Sequence, residues 1–363
     1  MAIVAVCCAA LSASTLALAG QPVRDAGHLL PPQGLYEGCA PEASGDTCIE
    51  RLAAIRAAGF RYVLNYSAWY GSPVAVLRYA DAAAALGLRL IWPLNSPAWR
   101  GLGDLAATYS SFASETDDLA VAGLGLPGVA LGDAEFTARA VGLVADLPAT
   151  WGFYIGDELP REEAGRVRGL SEAVRALAPD KPQLYVARPG IERLKPFARL
   201  ADVAGADAYP VGSGDPPVRQ AAQSAHLVAA AAGVRTAMVL QAFSWSQYRP
   251  SAGPSPAPTR AGFPSRHKLT AMRNAAIRHA DPAMILWYSY QDILRSDDPN
   301  GHLHDLSRAA FGDPNAKKGK PVRRAHASSN AGKSLPRGRD KTRKVRAAGD
   351  GVDGAGGTRP PSA

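Results

Sequence analysis

The chain has 363 residues, 47% of them hydrophobic, which is enough to bury a large core, and a formal net charge of +8. That charge is uneven: from Asp313 onward there are 13 Lys/Arg and 4 Asp/Glu, leaving 27 basic and 28 acidic residues for the rest. The near-neutral remainder lacks the clustered basic charge of a nucleic-acid footprint, which excludes nucleic acid as a partner of the fold.

Residues 1–19 are small and apolar and end Ala17-Leu18-Ala19 before Gly20, resembling a secretory h-region with an A-x-A cleavage site. No run is long and apolar enough to leave an integral membrane segment once that signal is removed, so the chain is expected to be secreted or associated with the cell envelope. Cys7 and Cys8 lie in the signal. Cys39 and Cys48, nine positions apart in an exported chain, are expected to form a disulfide.

From Gln33 to Gly312 strand and helix patterns alternate. The strand runs are Gly34-Leu35-Tyr36, Tyr62-Val63-Leu64, Leu88–Pro93, Phe153-Tyr154-Ile155, Leu184-Tyr185-Val186, Val203–Ala208, Ala237–Gln241 and Met284–Tyr290. Between them apolar residues recur at helical spacing, as in Ile49, Leu52 and Ile55 or Val167, Leu170, Val174 and Leu177. Gly59, Gly87 and Gly233 stand where helices should stop. Eight such βα units predict a single-domain (β/α)₈ TIM barrel over residues 20–312, of the α/β class. An open doubly wound sheet is the competing reading. Its glycine fingerprint is spelled by Gly123-Leu124-Gly125-Leu126-Pro127-Gly128, but no strand precedes it and Pro127 sits where a helix should open, so it reads as a loop. No cofactor is therefore expected. The long connections 97–133 and 246–266 are expected to shape a cleft. Residues 313–363, rich in Lys, Arg, Gly and Pro, read as a disordered solvated tail, with electrostatic contact to an anionic cell envelope as the second reading.

If the barrel closes, residues just past each strand share one face: Glu37; Asn65, Tyr66 and Trp69; Asn95 and Trp99; Asp157 and Glu158; Arg188; Asp207 and Tyr209; Gln241 and Trp245; Tyr288, Tyr290, Gln291 and Asp292. Carboxylates, amides and aromatic rings together suit a carbohydrate, whose ring faces stack while its hydroxyls hydrogen-bond. Any one of these aromatics could instead pack the top of the barrel. Glu158 is the leading candidate for a general acid, because a carboxyl group in an aromatic-walled cleft can have its pKa raised. Two competing roles stand beside this. Asp157 and Glu158 could complement the start of the helix opened by Pro160, and Asp207 could form a salt bridge with Arg188.

Four phrases carry a family resemblance: Gly156-Asp157-Glu158-Leu159-Pro160, Gly205-Ala206-Asp207-Ala208-Tyr209-Pro210, Val239-Leu240-Gln241-Ala242-Phe243 and Leu286-Trp287-Tyr288-Ser289-Tyr290. The chain resembles the TIM-barrel glycoside hydrolases, particularly the clan with an acid/base glutamate after the fourth strand. The resemblance implies Glu158 as proton donor and a glutamate nucleophile at the end of strand seven, where this chain has Gln241. An amide cannot form the glycosyl ester of a retaining mechanism. Three explanations stay open. Asp207 or Glu37 could partner Glu158. A substrate 2-acetamido group could replace the nucleophile, oriented by Asp157 and held by Tyr209 or Tyr288. The barrel could bind glycans without cleaving them. The leading expectation is hydrolysis of glycosidic bonds, with Glu158 as general acid, Asp157 or Asp207 as assisting carboxylate, Trp69, Trp245 and Tyr288 as sugar platforms, Gln241 as a substrate hydrogen-bonder, and Glu37, Asn65, Asn95, Arg188, Tyr209 and Tyr290 completing the substrate-binding set. The sequence contains no H-E-x-x-H or paired-cysteine metal spacing and no G-x-S-x-G elbow.

Overall fold

The structure, a computed structural model, describes residues 24–25, 28–69, 72–94, 133–248 and 262–312. The signal, the glycine-rich loop, Asn95, Trp99 and the basic tail lie outside the described residues. Eight parallel strands form a closed barrel: β1 (Gln33–Glu37), β2 (Tyr62–Asn65), β3 (Arg89–Pro93), β4 (Thr150–Asp157), β5 (Gln183–Ala187), β6 (Val203–Ala208), β7 (Arg235–Gln241) and β8 (Met284–Tyr288). Each pairs with the next, and β8 returns to β1, where Leu286 stands opposite Gly34. A two-residue antiparallel ladder, Arg24–Asp25 with His28–Leu29, precedes the barrel.

Helices α1 (Asp46–Ala57), α2 (Pro73–Ala85), α3 (Asp133–Val144), α4 (Ala164–Leu177), α5 (Ile191–Leu194), α6 (Val218–Ala232), α7 (Arg266–Ala280) and α8 (Pro299–Phe311) follow the strands in turn. Local chemistry sets their limits. Ser72 accepts a hydrogen bond from Ala75 N and Pro73 opens α2, while Gly233, at φ +73°, closes α6. Leu177, expected on the buried stripe of α4, is 48% exposed, because it is the helix's last residue and lies past the stretch that Val167, Leu170 and Val174 bury.

The period of two along each strand divides the core. Tyr36, Leu64, Ile91, Tyr154, Leu184, Val186, Val239 and Leu286 fill the lumen. Leu35, Val63, Trp92, Phe153, Tyr185, Leu240 and Trp287 face the helices, with the disulfide-bonded Cys39 and Cys48 in the same layer. No helix among the described residues is long and apolar enough to cross a membrane.

Candidate functional site

The alternation breaks twice along β4: at its start, where Leu90 stands opposite Thr150 and Ile91 opposite Gly152, and again near its carboxyl end. Tyr154 stands opposite Leu184, but Gly156 stands opposite Tyr185 and Asp157 opposite Val186. Ile155 and Gly156 thus share one partner on β5, a bulge that turns Asp157 into the lumen. Only glycine fits at 156, since a Cβ there would lie 2.4 Å from the Tyr185 ring. The next residue bends at once: Glu158 has φ +50°, and its N–H donates to Val186 O at 2.9 Å. Extended neighbours would point to opposite sides, and this left-handed turn instead leaves both carboxylates at the barrel mouth.

The two carboxylates have different surroundings. Arg188, just past β5, donates from Nε to Glu158 Oε2 at 2.5 Å. Burial would weaken the guanidinium's hold on its proton, but the charge and hydrogen bond of Glu158 reverse that and raise its pKa. Asp157 sits deeper among phenols, and Tyr66 donates to its Oδ2 at 2.5 Å. Its pKa is pushed up to about 6, first by burial and then by the adjacent Glu158 charge, against the hydrogen bonds of Tyr66 and Tyr154 and the charge of Arg188. Burial and the Asp157 charge in turn raise Tyr36, Tyr66 and Tyr154, so all three remain protonated donors. Asp207, buried at the end of β6 opposite the lumen residue Val239, is the third acid of this layer.

Across the mouth stands an aromatic wall. Tyr209 lies 5.8 Å from Tyr288, 5.3 Å from Phe243 and 6.5 Å from Trp245, ring centroid to centroid. Trp245 is partly exposed, and its indole N–H donates to Tyr209 O at 3.3 Å. Behind this wall Gln241 is fully buried. Its Oε1 accepts from Val211 N at 2.8 Å, and its Nε2 donates to Val211 O at 2.9 Å and to Phe243 O at 3.1 Å. Both amide hydrogens are committed to backbone carbonyls, so the side chain joins the β6 and β7 loops as a rung of sheet would.

No protein-family model matches the chain, and no curated protein matches it. Among solved structures, the endo-1,4-β-mannanase of Rhizomucor miehei aligns with a TM-score of 0.53 at 10% identity, over 80% of this chain and 96% of that one. A further structure, described as a glycoside hydrolase, aligns at 0.52 and 8% identity, over 78% of this chain and 69% of that one. The GH2 β-galacturonidase of Eisenbergiella tayi gives 0.48 at 11% identity over 72% of this chain, which spans only 44% of that enzyme's length. At these identities the likeness is one of fold, a TIM barrel shared with glycoside hydrolases.

The strand-end set separates into two groups. Asp157, Glu158, Arg188, Asp207, Tyr209, Trp245 and Tyr288 come together at the mouth. Tyr66 joins them through its hydroxyl on Asp157, whereas Glu37, Asn65, Trp69 and Tyr290 point outward. Glu37 accepts from Arg51 on α1 at 2.9 Å and from Gly38 N at 3.0 Å. Asn65, in register with Glu37, donates to Cys39 O at 2.8 Å and accepts from Ser67 N at 3.0 Å. Trp69 is buried against Trp92 and donates to Pro93 O at 2.5 Å, and Tyr290 is buried in the same outer layer. These four are not placed to meet a substrate at the mouth, because each lies on the helix side of the wall. Gln241, expected as a substrate hydrogen-bonder, has both amide hydrogens on backbone carbonyls. Asp292 accepts from Ser289 and Tyr248 at 2.5 and 2.6 Å and serves the short helix Tyr290–Leu294. Arg188 makes its short ion pair with Glu158 instead of Asp207. Pro160 leads into a 3₁₀ turn, Arg161–Glu163, before α4, and neither Pro160 nor Glu163 caps with its side chain. Tyr36 and Tyr154, which line the lumen beneath Asp157, escaped the strand-end reading. Tyr36 has the opposite parity to Glu37, the last residue of β1, so a reading of strand ends passes over it, and the bulge hides Tyr154.

Proposed function

We propose that the barrel mouth hydrolyses O-glycosidic bonds of a poly- or oligosaccharide, with Asp157 as the proton donor. The observation that carries this reading is a carboxyl group that the β4 bulge turns inward among phenols, where burial and the neighbouring Glu158 push its pKa up to about 6. The donor role thus moves one residue, from Glu158 to Asp157. Glu158, ion-paired to Arg188, is placed to stabilise positive charge developing on the sugar ring. Asp207 is assigned to the water that completes hydrolysis, which needs no carboxylate at position 241. Tyr209, Tyr288 and Trp245 offer faces for the sugar to stack on. The barrel it shares with glycoside hydrolases fits this reading, and the Cys39–Cys48 disulfide fits export to an oxidising compartment.

The test is a panel of neutral, N-acetylated and acidic glycosides presented to wild type, Asp157→Asn and Glu158→Gln. Turnover by wild type alone, with saccharide binding kept in both variants, supports the assignment. Reaction confined to N-acetylated substrates would assign the second step to their acetamido group. Equal rates for wild type and Asp157→Asn would remove Asp157 from the mechanism.

A second reading, a carbohydrate-binding barrel without catalysis, is favoured by Gln241, whose amide occupies the strand-seven position as a structural clamp. Saccharide binding with no turnover of any glycoside would select it.

A further inference from the structure

The acid at the mouth belongs to a chain of contacts that starts in the disulfide loop. Cys39 and Cys48 tie the end of β1 to the first turn of α1, and the carbonyl of Cys39 accepts from Asn65 Nδ2 at 2.8 Å. Asn65 is buried, and its Oδ1 accepts from Ser67 N at 3.0 Å, which fixes the turn after β2. Within that turn Tyr66 N donates to Glu37 O at 2.9 Å, and the Tyr66 ring packs 5.4 Å from Tyr36. The Tyr66 hydroxyl ends the chain on Asp157 Oδ2. Asn65 and the disulfide thus lie behind the wall, and Tyr66 carries their constraint through it.

We propose that Tyr66 is a positioning residue for Asp157, and that the disulfide-bridged loop before α1 holds Tyr66 in place through Asn65. This rests on the reading of Asp157 as the proton donor. The charged and titratable groups facing Asp157 are Glu158 from its own strand, Tyr154 below it, Tyr36 from β1, Tyr185 and Arg188 from β5, and Asp207 and Tyr209 from β6. Beside them Tyr66 and Tyr154 both hydrogen-bond the Asp157 carboxylate, and Tyr66 is the one whose support comes from another layer.

The experiment follows the Asp157 carboxyl carbon by NMR through a pH titration of the full chain, beside the pH dependence of glycoside turnover. A phenol donating to a carboxylate favours ionisation, so Tyr66→Phe should raise the titration midpoint by about one pH unit. Asn65→Ala should move it in the same sense by less. Where turnover is measurable, its high-pH limb should shift with the midpoint. An unchanged midpoint in Tyr66→Phe overturns the role of Tyr66, and an unchanged midpoint in Asn65→Ala overturns the role of the loop. Shifted midpoints without turnover in any protein, wild type included, would support the positioning role and count against the glycosidase reading instead.

Discussion

The ends of β4 and β7 occupy equivalent places on the same rim, yet they use their polar residues in opposite ways. At β4 a bulge and a left-handed residue bring two carboxylates together, one protonatable and one ion-paired. At β7 the polar residue is an amide with both hydrogens given to the backbone. Position on the rim therefore does not decide whether a residue is available for chemistry. What decides it is whether the surrounding chain has already satisfied its hydrogen-bonding capacity.

The largest expected effect comes from removing the acid. Asp157→Asn keeps the shape and can still accept from Tyr66, so the protein should fold while glycoside turnover falls by about 10²–10⁴-fold, the usual contribution of a positioned acid. Kinetics on the best substrate of the panel checks this. Retained turnover would erase the distinction between the two strand ends.

The reverse change at β7 should fail to create chemistry. Gln241→Glu would put a carboxylate at the end of β7, but it cannot donate to Val211 O and Phe243 O. It would also bury a charge. A loss of about 3 kcal/mol or more in unfolding free energy, with no gain of turnover, is expected. Urea unfolding measures it, and an active, equally stable variant would show that the clamp is dispensable.

A pH test sharpens the contrast in a third way. Asp157 has a folded-state pKa of about 6 against an ordinary 3.8, so the folded protein binds its proton more tightly than the unfolded chain. Its contribution therefore favours folding most below pH 3.8, weakens as pH rises toward 6, and is absent above. Asp157→Asn should accordingly be more stable than wild type at pH 8, by on the order of 3 kcal/mol, and the gain should shrink at pH 4. Thermal melts at the two pH values would reveal it, and a gain independent of pH would refute the shift. The smallest effect is expected at the rim itself. Trp245→Ala should weaken saccharide binding by about 3–10-fold through lost stacking, with little change in melting temperature.

The barrel was legible because its repeats are local. Each strand run, helical stripe and stopping glycine announces itself within a dozen residues, and eight such units leave few architectures. The site was legible only in part. Strand ends could be located, but not which side each residue faces. Glu37 and Asn65 end their strands in register with each other, and both face the helices, one step of parity away from Tyr36 and Leu64 in the lumen. At β4 parity itself misleads, because the bulge at Ile155 and Gly156 turns Asp157 inward. The contrast between Asp157 and Glu158 also depends on Arg188, 30 positions away in sequence, and on phenols from β1, β2 and β4. No local pattern encodes such a meeting of distant strands.

The most direct measurement is the NMR titration of the Asp157 carboxyl carbon in the wild-type protein. The account predicts a midpoint near 6, about two units above an ordinary aspartate. A midpoint at or below about 4 would mean that Asp157 is ionised whenever a glycosidic oxygen needs its proton.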